Sequence, residues 1–409
     1  MKKIIGIFLI TFLTAETGYG QNSSLSNDKN YVVTYTPRIP GLTQPSQLSW
    51  KAANEVNETV EYFDGLGRPM QTVQVFASPG RMDIIQHIEY DAFGREVKRY
   101  LPYTEGANYG KYRSNALSSQ STFYMNGTAN GVVHTPFPFA ETKLEPSPLN
   151  RVIEQGAPGD AWQLGGTSGA INAGHTVKTV YSTNTTSEVP LWSINSINNG
   201  AATNSAFYQP NQLYKTIIKD ENWNSTQTIH QAGTTEEFKD KEGRVVLKRT
   251  FNEKNSALEI LSTYYVYDDF GNLRYVIPPG VTVSSFTEAV TDDPFNQFMY
   301  AYHYDHRNRL TEKKIPGKGW EYMVYNKLDQ VVYYTDQRLQ QVYRWNFIKY
   351  DAFGRVVMTG IHEPYENDWA LLQTFADNFT LLWETRDNNS ATGYTDNTNV
   401  ALNNPGFQA

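Results

Sequence analysis

One short word recurs along this chain and constrains its fold more than any other feature. It reads aromatic residue, Asp, two variable residues, Gly or a residue that tolerates a left-handed backbone, then usually Arg. Two copies, Phe63-Asp64-Gly65-Leu66-Gly67-Arg68 and Tyr90-Asp91-Ala92-Phe93-Gly94-Arg95, stand toward the N-terminus. A looser copy, Lys239-Asp240-Lys241-Glu242-Gly243-Arg244, opens a second group. That group continues with Tyr267-Asp268-Asp269-Phe270-Gly271-Asn272, Tyr304-Asp305-His306-Arg307-Asn308-Arg309, Tyr325-Asn326-Lys327-Leu328-Asp329-Gln330 and Tyr350-Asp351-Ala352-Phe353-Gly354-Arg355. Recurrence of this kind marks a repeat architecture.

Aligned on the second residue, the words fall at positions 64, 91, 240, 268, 305, 326 and 351, with steps of 27, 149, 28, 37, 21 and 25. The long step divides the chain into a region with two words, a word-free stretch and an array of five. An apolar residue often precedes the aromatic one by two positions, as in Ile88/Tyr90, Tyr302/Tyr304 and Ile348/Tyr350. That is the period of a strand with one buried face. β-branched runs such as Val245-Val246-Leu247 and Val356-Val357-Met358 follow the words and read as the returning strands of hairpins.

The word has the chemistry of the connecting turn. An Asp at its start can accept a hydrogen bond from the amide two residues on, and the residue three later must take positive φ to close a type I turn with a bulge. Gly67, Gly94, Gly243, Gly271 and Gly354 meet that need, and Asn308 and Asp329 are the usual substitutes. Asp64, Asp91, Asp240, Asp268, Asp305, Asn326 and Asp351, with Arg68, Arg95, Arg244, Arg309 and Arg355, are therefore expected to form a structural turn motif rather than a reactive one.

Composition limits what else the chain can be. There is no cysteine, so disulfides hold nothing together, and 28 Tyr, 20 Phe and 8 Trp must supply much of the buried surface. The net charge of −7 and the lack of a basic stripe disfavour nucleic acid as a partner. Lys2 and Lys3 precede an apolar run from Ile4 to Leu13 that is too short to span a bilayer. Residues 1–20 thus read as a secretory signal cut near Gly20/Gln21, which predicts a secreted or cell-surface protein. No later stretch reads as a transmembrane helix.

The expected organisation after the signal is a β-rich region over 21–230, the word array over 231–365, and a helical segment with a polar tail over 366–409. Stretches 104–135 and 155–206, rich in Gly, Ser, Asn and Thr, read as loops broken by short β-like runs such as His175 to Tyr181. Tyr214 to Lys219 is a further such run. Helices are expected at Phe286 to Val290 and at Asp368 to Trp383, the latter with Asn367 as N-cap and Leu372, Phe375, Phe379 and Leu382 along one face.

The Tyr-Asp-x-x-Gly-Arg word resembles the YD repeats of the RHS family of bacterial secreted and surface proteins. Tyr62 to Val73, Glu89 to Tyr103 and the run Ser147 to Gly159 look like the uncharacterised domain, domain of unknown function 6443, that precedes the repeats in exported RHS proteins. This second resemblance covers roughly 30–180. Together they imply a mainly β fold, in which a β-rich N-terminal domain is followed by a hairpin-repeat sheet forming an open or partial spiral shell. They also imply variable cargo, often a toxin, carried after the repeats. The family's self-cleavage motif is not matched, because Asp293-Pro294 is followed by Phe295-Asn296-Gln297. Five words are few for a closed shell, so the chain is expected to be the opening portion, or a truncated copy, of a longer member.

A ladder of Asp residues suggests calcium, but Ala92-Phe93 and Ala352-Phe353 between Asp and Gly supply no further side-chain oxygens, so turn capping is preferred. His303 and His306 lie three apart in a strand-to-turn word and read as surface histidines rather than zinc ligands. No Gly-x-Ser-x-Gly elbow occurs, and Gly165-Gly166-Thr167-Ser168-Gly169 lacks the lysine of a phosphate loop. Glu236/Glu237 and Asp292/Asp293 carry no signature of a glycosidase pair. No catalytic, cofactor-binding or metal-binding residue is assigned, and a hydrolase finds little support. The expected role is a non-enzymatic scaffold, part of a cargo-enclosing, toxin-delivery or adhesive protein, whose partner is a C-terminal cargo or toxin segment or a cell-surface glycan; the alternative is a carbohydrate- or surface-binding module that uses exposed aromatics, although packing in the sheet is the preferred reading of most of these rings. For a glycan, Trp162, Trp320 and Trp345 are the residues that could stack on sugar rings.

Overall fold

The computed structural model describes residues 4–5, 25–26, 28–48, 51, 53–106, 110–126, 131–195, 199–203, 206–289, 291–364 and 368–398. Most of the expected signal and its cleavage point lie outside these residues, although Ile4–Ile5 pairs in parallel with Val32–Val33. Asn367 and the tail from 399 lie outside them as well. Two compact units emerge, one from 1–180 with 218–233 and the other from 181–217 with 234–409. Strands dominate both, and no described helix is long and apolar enough to cross a membrane.

In the first unit, Asn30–Pro37, Val56–Phe63, Pro69–Gln74, Asp83–His87 and Tyr103–Glu105 form an antiparallel sheet in that order. Alternation sets its buried face. Tyr31, Val33 and Tyr35 point into the same core as Val60, Tyr62, Val73 and Ile85. A buried ion pair, Arg113 Nη2 to Asp83 Oδ2 at 2.7 Å, lies beneath this sheet, and Gln71 grips the Arg113 backbone through both of its amide atoms. Further antiparallel pairing joins Lys98–Tyr100, Phe139–Leu144, Val152–Gly156 and the start of Val177–Thr183.

The helix Ala116–Asn126 lies inside a stretch expected to be loop. It has no continuous apolar stripe. Ala116 is buried in the core, Phe123 and Tyr124 pack against it, and Gln120 donates to the carbonyls of Leu101 and Pro138. Tertiary contacts, rather than amphipathic periodicity, hold this helix.

The second unit carries the five-word array as an antiparallel meander. Thr234–Lys239, Val245–Lys254, Ala257–Tyr267, Leu273–Ile277, Tyr300–Tyr304, Leu310–Ile315, Gly319–Tyr325, Val331–Asp336, Trp345–Tyr350 and Val356–His362 are neighbours in chain order. Between the fourth and fifth of these strands the chain makes an excursion. There Ser285–Thr287 pairs with Gly200–Ala202, which also pairs with Ser193–Ile194.

That excursion corrects the helix expected at Phe286 to Val290, whose last residue lies outside the described set. Phe286 is in a strand, buried and stacked on Phe295 at 5.9 Å. The helix forms later, over Asp293–Phe298. Asp292 caps it by accepting from the Phe295 amide, Pro294 sits in its first turn, and Lys314 Nζ collects the carbonyls of Phe295, Asn296 and Met299. The helix expected over Asp368 to Trp383 is also shorter, Trp369–Asp377, with Asp368 as its N-cap. It buries Leu372 and Ala376 against Val324, Val332, Trp345 and Phe347, and Gln373 bonds the Tyr325 backbone amide and carbonyl. Phe375 stays exposed, while Phe379 and Leu382, beyond the helix, still join that core.

Packing bears on the aromatic residues and corrects one histidine. Trp345 is wholly buried, so it cannot stack on a sugar, and Trp320 is half-buried against Phe295 and His303. Trp162, at 42%, is the most exposed of the three. His303 is not a surface histidine, whereas His306 is exposed in its turn.

Candidate functional site: a ladder of turns

All seven words adopt one turn. In each, the amide of the Asp or Asn donates to the carbonyl four residues on, and the amide three residues on donates back to its carbonyl. One oxygen of the Asp or Asn side chain accepts from the amides two and four residues later, as Asp64 Oδ1 does from Leu66 at 2.8 Å and Arg68 at 2.9 Å. Asp91, Asp240, Asp268, Asp305, Asn326 and Asp351 repeat this pair of bonds. The fifth position has positive φ in every copy: 80° at Gly67, 77° at Gly94, 84° at Gly243, 82° at Gly271 and 75° at Gly354, with 58° at Asn308 and 60° at Asp329. In six hairpins the first residue of the word faces the residue that follows the word across a one-residue bulge, as Tyr267 faces Leu273 and Tyr350 faces Val356.

The word's last residue closes the turn electrostatically. Arg68, Arg95, Arg244, Arg309 and Arg355 each donate Nε to the second oxygen of their own Asp, at 2.6–2.8 Å. In the other two copies Asn272 Nδ2 bonds Asp268 at 3.2 Å, and Asn326 bonds Gln330 at 2.9 Å. Amide and guanidinium donors hold the carboxyls of Asp64, Asp91 and Asp351 below the usual carboxylate range. At Asp305 partial burial acts the other way, and the Arg309 and Arg307 donors outweigh it.

Each word also grips the next. Tyr267, Tyr304, Tyr325 and Tyr350 donate their hydroxyls to the carbonyls of Val245, Leu273, Leu310 and Val331, at 3.1, 3.1, 2.7 and 2.8 Å. Every acceptor is the residue immediately after the preceding word. The preceding Arg lies over the next ring, with Arg68 4.5 Å from the Tyr90 centroid, Arg244 5.2 Å from Tyr267 and Arg309 4.8 Å from Tyr325. The last residue of one word also touches the positive-φ residue of the next. A Cβ at Gly94 would stand 2.8 Å from Arg68 Nη1, one at Gly271 3.0 Å from Arg244 Nη1, and one at Gly354 3.2 Å from Gln330 Nε2. Where the last residue is the short Asn272, the next word has Asn308 in place of Gly, and the two side chains bond at 3.1 Å. Arg309 reaches Asp329 at 3.0 Å in the same manner.

The structure adds a turn that the word pattern missed. Glu145 to Arg151 closes with Glu145 N to Arg151 O at 2.9 Å, Arg151 donates twice to the Glu145 carboxylate, and Asn150 has φ of 50°. Leu144 faces Val152 across a bulge, and Arg95 Nη1 reaches Asn150 Oδ1 at 2.5 Å, which is the same word-to-word contact. Arg151 and Ser147 hold the Glu145 carboxyl down at about 2. Its signal was the pair Asn150-Arg151, matching Asn308-Arg309, but Glu replaced Asp and the loop is longer.

Two charge clusters outside the words were also not foreseen. His303 bonds Glu312 at 2.7 Å and Glu288 at 2.8 Å, and Tyr275 donates to Glu288 at 2.6 Å. Burial opposes protonation of His303, but the two carboxylates prevail and raise it to about 9. Lys349, buried on the sheet, pairs with Glu384 at 3.4 Å and with Asp396. Glu384 also accepts from the amides of Asn397 and Thr398 and the hydroxyls of Thr395 and Thr398, so this cluster fastens 384–398 to the array. In both clusters the carboxylates are tied up by neighbours, an arrangement suited to holding structure. No described group of three or more His, Cys, Asp or Glu side chains is placed to hold a metal ion.

The family model described as Domain of unknown function (DUF6443) matches residues 34–177. No curated protein sequence matches the chain. Among solved structures, the crystal structure of TcdB2-TccC3-TEV is similar at 14% identity and a TM-score of 0.47, over 78% of this chain. That of TcdB2-TccC3-Cdc42 is similar at 15% identity and a TM-score of 0.46, over 76%. This chain spans about 13% of the length of either.

Proposed function

We propose that this chain is a non-enzymatic, exported RHS-type scaffold, secreted or held at the cell surface, that forms part of a cargo-enclosing, toxin-delivery protein. The observation that carries this reading is the ladder itself: Tyr267, Tyr304, Tyr325 and Tyr350 each bond the backbone that follows the preceding word. The word's polar groups are thereby committed to the turn and to the neighbouring turn, which leaves the sheet as the functional object. The residues of the word act by backbone geometry, and the sheet presents a surface against which another segment can be held.

Two measurements test the parts of this reading. N-terminal mass analysis of the protein recovered outside the cell should find a mature chain beginning at Gln21; retention inside the cell with Met1 intact would contradict export. A protease-sensitive reporter peptide fused after Ala409 should be cut more slowly than the same reporter on a carrier of equal size. Equal cutting would contradict enclosure and favour the adhesive form of the scaffold.

A further inference from the structure

One word breaks a charge balance that the other six keep. Five words pair Asp with Arg, and the word at 326 replaces both members together, Asn326 with Gln330, so no charge is left over. Only the word at 268 keeps its Asp while losing its Arg, to Asn272. The Asp268 oxygens accept from the amides of Phe270 and Asn272 and from the Asn272 side chain. These are neutral donors, which orient the carboxylate without cancelling its charge. Asp269 places a second carboxylate beside it.

This unbalanced word lies on the wall of a cavity of about 310 Å³, within the second unit. Trp192, Tyr208, Tyr265 and Tyr267 line it, together with Asp268 and Asp269. Arg244 also reaches the wall, but it is already engaged by Asp240 at 2.6 Å and Glu242 at 3.3 Å and lies over the Tyr267 ring. It therefore has no charge to spare for Asp268. Aromatic faces beside uncompensated carboxylates are the chemistry that recognises an organic cation. A hard metal ion needs a shell of several oxygen ligands, and among the described residues no group of three or more His, Cys, Asp or Glu side chains is placed to supply one. A neutral sugar would leave the carboxylates as unbalanced as before.

We propose that this cavity binds an organic ammonium group, with Asp268 and Asp269 supplying the charge and Trp192, Tyr208 and Tyr265 the aromatic wall, the Tyr267 ring already carrying Arg244. The inference stands apart from the scaffold reading, since the sheet can serve as a scaffold whether or not the cavity is filled.

The test is calorimetric titration of the full chain with n-butylammonium chloride at constant ionic strength, with calcium chloride and glucose as comparison ligands. Saturable binding in roughly the millimolar range is expected, as suits a single partly exposed cation site. Asp268→Asn should weaken it at least about tenfold. That variant is expected to fold, because Asn326 performs the same capping in its own word. The decisive variant is Asn272→Arg, which supplies the missing cation within the word: it should abolish butylammonium binding while leaving the melting temperature unchanged or higher. The proposal is overturned if the natural chain does not bind butylammonium, if Asn272→Arg binds as the natural chain does, or if calcium or glucose binds more tightly.

Discussion

Gly67 and Gly94 offer a controlled comparison of what the word demands from its own backbone and what it demands from its neighbour. Their φ values are 80° and 77°, so alanine should pay nearly the same left-handed strain at each, on the order of 1–2 kcal/mol. Their surroundings differ. A Cβ at Gly67 meets nothing within 4 Å, whereas at Gly94 it stands 2.8 Å from Arg68 Nη1. Arg68 is flexible enough to move aside, so the added cost is what it gives up by moving, chiefly its position 4.5 Å over the Tyr90 ring. Such a contact at an exposed site contributes about 0.5–1 kcal/mol. Gly94→Ala should therefore destabilise more than Gly67→Ala by about 0.5–1 kcal/mol. Urea unfolding of the full chain would measure this, since both residues lie in the same compact unit. In an Arg68→Ala background the difference should vanish. Equal costs in the natural background, or a difference that survives without Arg68, would refute the word-to-word contact.

The buried clusters make further predictions. His303 has a folded-state value of about 9, above the ordinary 6.5, so its stabilisation is present below about pH 6.5 and is lost as pH rises through 9. Denaturant midpoints of the second unit should fall between pH 7 and 9.5 and become flatter with pH in His303→Gln; a dependence as steep as that of the natural chain would count against the Glu288–His303–Glu312 cluster. Lys349→Met leaves Glu384 buried without its cation and should cost about 3–5 kcal/mol, with faster protease release of 384–398, while adding Glu384→Gln should recover part of that loss. If the double variant is as unstable as the single one, the pair is not coupled. Tyr350→Phe should cost about 1 kcal/mol by removing the bond to the Val331 carbonyl, and no measurable change would remove that rung.

The turns were legible because everything that makes them is local. Asp, the amides two and four residues later and the positive-φ position all lie within six residues, and the sequence spells them out. What joins one turn to the next was not legible, because Tyr325 and Leu310, or Asn272 and Asn308, meet only through the pairing of strands. The turn at Glu145 to Arg151 escaped notice for a different reason: its geometry tolerates Glu and a longer loop, which the six-residue word does not describe. Helices were the least legible elements. Ala116–Asn126 lacks an apolar stripe, and the segment at Phe286 is a strand rather than a helix because it pairs with Gly200–Ala202, a distant segment. The burial of His303 was not legible because it comes from Glu288 and Trp320, which are distant from it in the sequence.

The coupling between Arg309 and Tyr325 tests most directly whether successive words stabilise one another. Arg309 lies 4.8 Å over the Tyr325 ring, and its side chain is largely buried. A double-mutant cycle with Arg309→Met and Tyr325→Leu, measured by urea unfolding, should give a coupling of about 0.5–2 kcal/mol. Costs that add within about 0.3 kcal/mol would show that the words are independent turns and not a ladder.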